Sequence, residues 1–186
     1  MSEGKRNLKQ AGSEVQTFPV PFAIGEIKEN ITIKSTTSNK PSKPSKEQLI
    51  DTAFRFHSQG NSSEAAKYYQ LFINQGFEDH RVFSNFGSIL KNQGKLKEAA
   101  LFQHKAIALK PDFANAHSNL GNILRDLDKL KEAEISTRKA IELKPDLANT
   151  HSNLGTILFD LGKLKEGESA QRKAIELKPD LAQAHS

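Results

Sequence analysis

Histidines that could bind a metal recur at a fixed spacing in this sequence. His117, His151 and His185 stand 34 residues apart. Imidazole is a common zinc ligand, but zinc needs all its ligands within about 2 Å of one ion, and equivalent positions of stacked repeats lie roughly 10 Å apart. We therefore predict no metal site, and we expect packing to explain the three histidines.

Two further patterns suggest catalysis or nucleotide binding. Ser118 follows His117, yet consecutive helical residues point in different directions, so the pair implies no activated nucleophile. Segments 87–95 and 155–163 each hold two glycines before a lysine, but six residues separate these glycines. A phosphate loop has about four there, and it also needs a preceding strand. We predict no catalytic residue and no cofactor.

Asparagine is a third repeated residue type, and its amide both donates and accepts hydrogen bonds. Asn85, Asn119 and Asn153 lie 34 residues apart, and a serine precedes each of them. If the units that carry them stack, these side chains form a ladder. The alternative is that they are only solvated, and that duplicated repeats have had little time to diverge.

The elements that carry these residues are repeats of 34 residues. Residues 114–147 and 148–181 are identical at 26 of 34 positions, and 80–113 shares 17 of 34 with 114–147. We interpret 46–79 as a degenerate first copy and 182–186 as the start of a truncated fifth. Such a period predicts a solenoid, because each unit buries its apolar side only against its neighbours.

Each unit contains two predicted helices. Apolar residues at helical spacing follow Ala116 in the first half of the third unit and Leu130 in the second half. The sequence Lys-Pro-Asp at 110, 144 and 178 ends the second helix, and we expect its Asp to cap the next one. Arg138 lies four residues from both Glu134 and Glu142, so we expect it to pair with both.

This pattern resembles the tetratricopeptide repeat (TPR) family, which has a period of about 34 and a Leu-Gly, Ala and Pro motif. The resemblance implies an all-α, right-handed superhelical solenoid of helix-turn-helix units. Gly167 replaces the motif alanine, which we expect to cost about 1 kcal/mol and to soften the fourth unit. The expected packing residues are Gly87, Leu120, Gly121, Leu154, Gly155, Ala99, Ala133, Pro111, Pro145 and Pro179.

In this family the first helices line a concave groove. The repeated asparagines resemble the asparagine ladder of the TPRs of O-linked N-acetylglucosamine transferase, which binds extended peptide. A dicarboxylate clamp fits poorly, because it needs more basic residues where this sequence has Asn115 and Asn119. The expected groove residues are Asn85, Asn119, Asn153, Ser84, Ser118, Ser152, Asn122, Thr156, Arg81, Lys91, Arg125 and Phe159.

Composition bears on the cellular location of the protein, on membrane segments and on the order of its N-terminal residues. Cysteine is absent, which excludes disulfides and thiolate metal sites and suits a cytoplasmic location. No apolar run approaches the roughly 18 residues of a membrane span, so we expect no membrane segment. We predict that 1–45 form a disordered or extended tail and linker, in which Phe18–Phe22 either docks as an extended peptide or stays unbound.

The leading functional hypothesis is a non-enzymatic scaffold that binds an extended segment of a protein partner in the groove, with no small-molecule substrate. One alternative is the N-terminal scaffold of a larger glycosyl-, sulfo- or methyltransferase, prompted by the severed fifth repeat. A second is nucleic-acid binding, prompted by a pI of about 9.3 and by lysines that recur at 95, 97, 129, 131, 163 and 165, but glutamates alternate with these lysines and disfavour it. The open last repeat also suggests self-association, although we favour a fragment of a longer product.

Overall fold

The computed structural model describes residues 43–178; the predictions for 1–42 and for 179–186, including Pro179, lie outside this range. Within it the chain forms eight α-helices and no strand, which confirms the predicted all-α fold. Among these helices, none has the length and apolar content that crossing a bilayer requires. They are α1 (Lys46–Ser58), α2 (Ser62–Asn74), α3 (His80–Asn92), α4 (Leu96–Leu109), α5 (Ala114–Asp126), α6 (Leu130–Leu143), α7 (Ala148–Asp160) and α8 (Leu164–Leu177).

Consecutive helices pair into four hairpins, α1/α2, α3/α4, α5/α6 and α7/α8. The second helix of each hairpin packs against the first helix of the next, and α5 also contacts α3 and α7 directly. We call α3, α5 and α7 the inner helices and α4, α6 and α8 the outer helices. The hairpins therefore stack in chain order as a solenoid, and the inner helices lie side by side.

The first helices of the hairpins begin in different ways. Asp79 caps α3 by accepting hydrogen bonds from two backbone N–H groups of its first turn. The prediction that the Asp of Lys-Pro-Asp caps the following helix is wrong for Asp112 and Asp146. The cap positions of α5 and α7 are Phe113 and Leu147, whose side chains carry no acceptor, because each Asp lies one residue too early.

The turn inside each hairpin needs a left-handed backbone conformation. Gly60, Gly94 and Gly162 adopt it with φ of 75°, 76° and 74°. Asp128 occupies this position in the third hairpin with φ of 60°. Because a Cβ atom is crowded in this region, the third hairpin carries backbone strain that the other three avoid with glycine.

The two helices of the third hairpin are in close contact at the Leu120-Gly121 pair. A Cβ atom on Gly121 would overlap the side chain of Thr137 and would lie 3.2 Å from the carbonyl oxygen of Ala133. Thr137 is fully buried and donates its hydroxyl to that same oxygen at 2.8 Å. Glycine is therefore required at 121 by the distance between α5 and α6.

The apolar core is unevenly distributed along the stack. The largest cluster fills the first two hairpins and includes the buried rings of Tyr69, Phe72 and Phe86. In the last hairpin the corresponding cluster is small and contains Leu154 and Leu158. The hairpins share one backbone plan but differ in how much aromatic surface they bury.

Candidate functional site

The inner helices line a concave cavity of about 590 Å³, which we call the inner cavity. Its walls come from α3, α5 and α7, from the residues that precede α5 and α7, and from the end of α8, and amide and hydroxyl side chains predominate. The lining residues are Ser84, Asn85, Phe113, Asn115, Ser118, Asn119, Asn122, Asp146, Leu147, Ala148, Asn149, Thr150, Ser152, Asn153 and Lys178. Such a surface is suited to hydrogen bonding with a ligand.

The structure brings seven of the twelve predicted groove residues into this cavity. They are Ser84, Asn85, Ser118, Asn119, Asn122, Ser152 and Asn153. Sequence reasoning missed two other asparagines of the lining, Asn115 and Asn149, although they also lie one repeat period apart. The period itself was the signal that could have found them.

All five remaining groove residues lie outside the inner cavity, and four of them place their polar groups on other parts of the protein. Lys91 and Arg125 both contact the Asp126 carboxylate, at 3.4 Å and 3.2 Å. The Thr156 hydroxyl donates to the Ser152 carbonyl oxygen of its own helix at 3.2 Å. These contacts engage the polar groups within the protein. The fourth residue, Arg81, lies beside the cap of α3.

The Arg81 guanidinium is bound on two sides. One of its nitrogens lies 2.9 Å from the Asp79 carboxylate, and its central carbon lies 5.2 Å from the ring centroid of Phe54. Burial acts to raise the pKa of Asp79, but the hydrogen bonds from Arg81 and Val82, together with the Arg81 charge, outweigh burial and lower that pKa. Arg81 therefore stabilises the start of α3 and its contact with α1.

Phe159, the fifth residue, packs against α8. Two ring carbons of Phe159 lie 2.8 Å from the point where a Cβ atom on Gly167 would stand. Gly167 therefore leaves space for the Phe159 ring, a packing role that the sequence did not indicate.

Asn119 is the most strongly bound asparagine of the cavity. Its Nδ2 donates to Ser84 Oγ and to Ser88 Oγ, both at 3.2 Å, and so joins α5 to α3. Ser88 Oγ in turn donates to the Ser84 carbonyl oxygen at 3.0 Å. The side chain is half-buried and lines the cavity.

Asn85 connects the cavity to the first hairpin. Its Nδ2 donates to the Tyr69 hydroxyl at 3.2 Å, and His57 Nδ1 lies 3.1 Å from the same hydroxyl. Burial raises the pKa of Tyr69, and the hydrogen bond from Asn85 partly opposes this. The tyrosine therefore remains a neutral hydrogen-bonding group that positions Asn85.

Asn153 differs from the other two rungs of the ladder. Among the described residues it makes no side-chain hydrogen bond, and Thr150 Oγ1 instead donates to Ser118 Oγ at 3.1 Å. Three asparagines at one repeat position therefore have three different surroundings.

Two glutamines support the inner helices from behind. Gln103 Nε2 donates to the Ser84 carbonyl oxygen at 2.9 Å, and Gln171 Nε2 donates to the Ser152 carbonyl oxygen at 3.0 Å. They occupy the same repeat position in the second and fourth units, and nothing in the sequence pattern indicated this contact. Each glutamine fixes the backbone at a serine of the cavity.

The recurring histidines make a contact that the sequence did not predict. His117 Nε2 lies 2.9 Å from the carbonyl oxygen of Pro111, and His151 Nε2 lies 2.8 Å from that of Pro145. Because a carbonyl only accepts, each Nε2 carries a proton and donates it. The two side chains brace the turns between hairpins, and within residues 43–178 no group of three or more possible metal ligands occurs.

The outer helices carry an ion-pair network between the third and fourth hairpins. Arg138 donates to Glu134 at 2.9 Å as predicted, but the prediction that it also pairs with Glu142 is wrong. Its second partner is Glu166 on α8 at 2.7 Å, while Lys163 reaches back to Glu134 at 2.7 Å. The sequence showed only partners on the same helix, whereas stacking brings α8 within reach.

Models of the tetratricopeptide repeat match residues 114–147 in one version and residues 80–113 and 148–181 in another, together more than half of the chain. The chain belongs to the tetratricopeptide repeat family. A comparison with curated protein sequences finds no match.

Several solved TPR structures share this fold. MamA is 20% identical with a TM-score of 0.68, and the match covers 78% of this chain and 85% of MamA. YrrB, described as a TPR protein with an unusual peptide-binding site, is 20% identical with a TM-score of 0.64, covering 73% and 70%. An O-GlcNAc transferase mutant from Thermobaculum terrenum is 25% identical with a TM-score of 0.57, covering 61% of this chain and 22% of that one.

Proposed function

We propose that this chain is a non-enzymatic interaction module whose inner cavity binds an extended segment of another protein. The observation that carries the proposal is the convergence of seven predicted groove residues, the three ladder asparagines among them, from three successive inner helices on one concave surface. A surface of amides and hydroxyls supplies donors and acceptors to a peptide backbone without requiring a particular side chain. The description of YrrB as a peptide-binding TPR protein supports it as an analogy.

The charges near the cavity also support a largely uncharged ligand. Lys91 and Arg125 contact Asp126, and Arg81 contacts Asp79, so these three predicted cations are engaged within the protein. Asp146 and Lys178 contribute one charge of each sign to the lining. Binding is therefore expected to depend on hydrogen bonds more than on ion pairs.

The test uses a 12-residue peptide selected from a displayed random library on the full immobilised chain. Its affinity is measured by fluorescence anisotropy for the wild type and for the combined Asn85→Ala, Asn119→Ala and Asn153→Ala variant. We expect that variant to lose at least about tenfold in affinity, since each lost hydrogen bond contributes roughly 1 kcal/mol.

Two controls make the result decisive. Asn74→Ala combined with Asn92→Ala removes exposed amides outside the cavity and should leave affinity unchanged. Asn153→Ala alone removes no hydrogen bond made within residues 43–178, so it tests the cavity in a fully folded protein. If no peptide is selected, or if the triple variant folds and binds equally well, the proposal is wrong.

A second candidate is that these repeats serve as the scaffold of a larger transferase. The match to the TPR part of a Thermobaculum terrenum O-GlcNAc transferase favours it, and this chain spans about a fifth of that protein. Reading the gene on both sides of the sequence decides between the two. A stop codon directly after Ser186 would eliminate the second candidate.

Nucleic-acid binding receives less support from the charges. Lys129 contacts Glu132 at 3.4 Å and Lys163 contacts Glu134 at 2.7 Å, so part of the lysine series is neutralised. A binder of phosphates loses affinity steeply with salt. The test measures the affinity for a 20-nucleotide RNA or DNA at about 50 and about 200 mM salt. A steep fall in affinity over this range, as expected for several phosphate contacts, would support this candidate.

Self-association, the cytoplasmic location and the assignment of 46–79 as a degenerate first TPR remain predictions.

Self-association is favoured by exposed apolar side chains on α8. Leu164 and Ile175 are 64% and 48% exposed, whereas their counterparts Leu130 and Ile141 are half-buried between hairpins. A light-scattering mass that doubles with concentration would support pairing through α8, and a constant monomer mass would exclude it.

A further inference from the structure

The orientation of the Asn119 amide is fixed by the serines of α3. The Ser88 hydroxyl uses its proton on the Ser84 carbonyl oxygen, so toward Asn119 it can only accept. The atom that faces it must therefore be the nitrogen, and the same nitrogen also donates to Ser84 Oγ. Turning the amide over would place Asn119 Oδ1 against Ser88 Oγ, whose proton is already used on the Ser84 carbonyl oxygen.

This arrangement leaves only an acceptor for a ligand. Both protons of Asn119 Nδ2 are engaged, while Oδ1 has no hydrogen-bond partner among the described residues. Because Oδ1 is not fully buried, it is accessible to solvent at the cavity wall. The middle rung of the ladder thus presents a hydrogen-bond acceptor and no donor.

The neighbouring rungs lack this restriction, and the sequence explains why. Asn122 stands one repeat after Ser88, so Asn153 has no pair of serines to hold it, and Ser118 accepts from Thr150. The whole amide of Asn153 remains available among the described residues. Asn85 donates one proton, to Tyr69, and keeps the other.

We propose that Asn119 determines specificity in the groove by requiring a backbone N–H from the ligand at its register. The inference rests on the peptide-binding proposal and adds a chemical rule to it. A residue without an N–H, such as proline, is rejected at that one position, because the Asn119 oxygen would lose water without gaining a donor. Ser88 is the positioning residue that enforces the rule.

The experiment replaces single amides of the selected 12-residue peptide by esters, which removes one N–H at a time with little change in shape. At one position we expect the ester to bind the wild type about 5- to 100-fold more weakly. In Asn119→Ala this penalty should fall below about threefold, because the acceptor is gone. In Ser88→Ala it should shrink as well, because the amide is then free to turn and donate.

Asn153→Ala is the matched control, and it should retain the full ester penalty at that position. The rule for Asn119 would be overturned if no ester position weakened binding, or if the penalty persisted in Asn119→Ala. The peptide-binding proposal would still stand in either case if the triple asparagine variant lost affinity. Failure to select any peptide on the chain would overturn both proposals. Circular dichroism and thermal unfolding of each variant separate lost folding from lost binding.

Discussion

The first two hairpins and the last two use one helical plan but are held together by different forces. All eight contacts between aromatic rings in the described residues join side chains within the segment 54–113. The contact between the third and fourth hairpins instead buries small and aliphatic side chains, and its outer side is closed by Glu134, Arg138, Lys163 and Glu166. Apolar burial contributes far more free energy than exposed ion pairs. The comparison therefore predicts a stability gradient along the stack, with the last hairpin opening first.

Removing an aromatic ring from the first half gives the largest expected effect. Phe72 is fully buried, and its ring centroid lies 5.4 Å from that of Phe77. Phe72→Ala should lower the free energy of unfolding by about 3–5 kcal/mol, measured by urea denaturation. Leu101→Ala, at a 54% exposed site, should change it by no more than about 0.5 kcal/mol. A loss below about 1 kcal/mol for Phe72→Ala would contradict the gradient.

A helix-favouring substitution in the last hairpin should destabilise it. Gly167→Ala places a Cβ atom against the Phe159 ring, so we expect a net loss of about 1 kcal/mol although alanine is the better helix former. In a Phe159→Arg background, which copies the third repeat, the same substitution should gain about 1 kcal/mol. Thermal unfolding of the four proteins forms a double-mutant cycle. Equal effects in both backgrounds would mean that Phe159 is not the cause.

The strained turn of the third hairpin offers a smaller, stabilising change. Asp128→Gly should raise the free energy of unfolding by about 0.5–1 kcal/mol, because glycine adopts a φ of 60° without a Cβ penalty. The reverse change in the second hairpin, Gly94→Asp, should lower it by a similar amount. Chemical denaturation measures both. An Asp128→Gly protein no more stable than the wild type would show that the turn is not strained.

The ion-pair network gives the smallest effect and the one that depends on pH. Hydrogen bonding to Lys163, followed by that to Arg138, holds the pKa of Glu134 below its ordinary value against the opposing effect of burial. A carboxylate with a lowered pKa in the folded state stabilises the protein above its unfolded pKa and loses that contribution as the pH falls through the folded pKa. Hydrogen exchange of α8 at pH 7 should therefore be faster in Glu134→Gln, by the equivalent of about 0.2–1 kcal/mol.

As the pH falls through the folded pKa of Glu134, the wild type and Glu134→Gln should converge. Glu176→Gln is the control, since Glu176 contacts Lys173 on its own helix at 2.9 Å and does not join two hairpins. A difference between wild type and Glu134→Gln that persists at acid pH would show that charge is not what closes this interface.

Sequence patterns predicted the helices and seven residues of the cavity, because helical spacing and the repeat period are local properties of the chain. They failed where a partner lies in another repeat. Helical spacing pairs Arg138 with Glu142 on its own helix, while its second partner is Glu166, 28 residues away. They also failed locally at Asp112, which the pattern places at the cap of α5, because one residue of register decides which side chain stands there.

By itself the sequence determined that 34-residue units recur, that each forms two helices, and that asparagines occupy one position of the first helix. Only the tertiary structure decided what each asparagine can offer a ligand. Asn119 is held by hydroxyls 31 and 35 residues before it, whereas Asn153 meets different neighbours at the same spacing. The direction of a hydrogen bond depends on which donors and acceptors stacking brings within about 3 Å, and no local pattern in the chain encodes that distance.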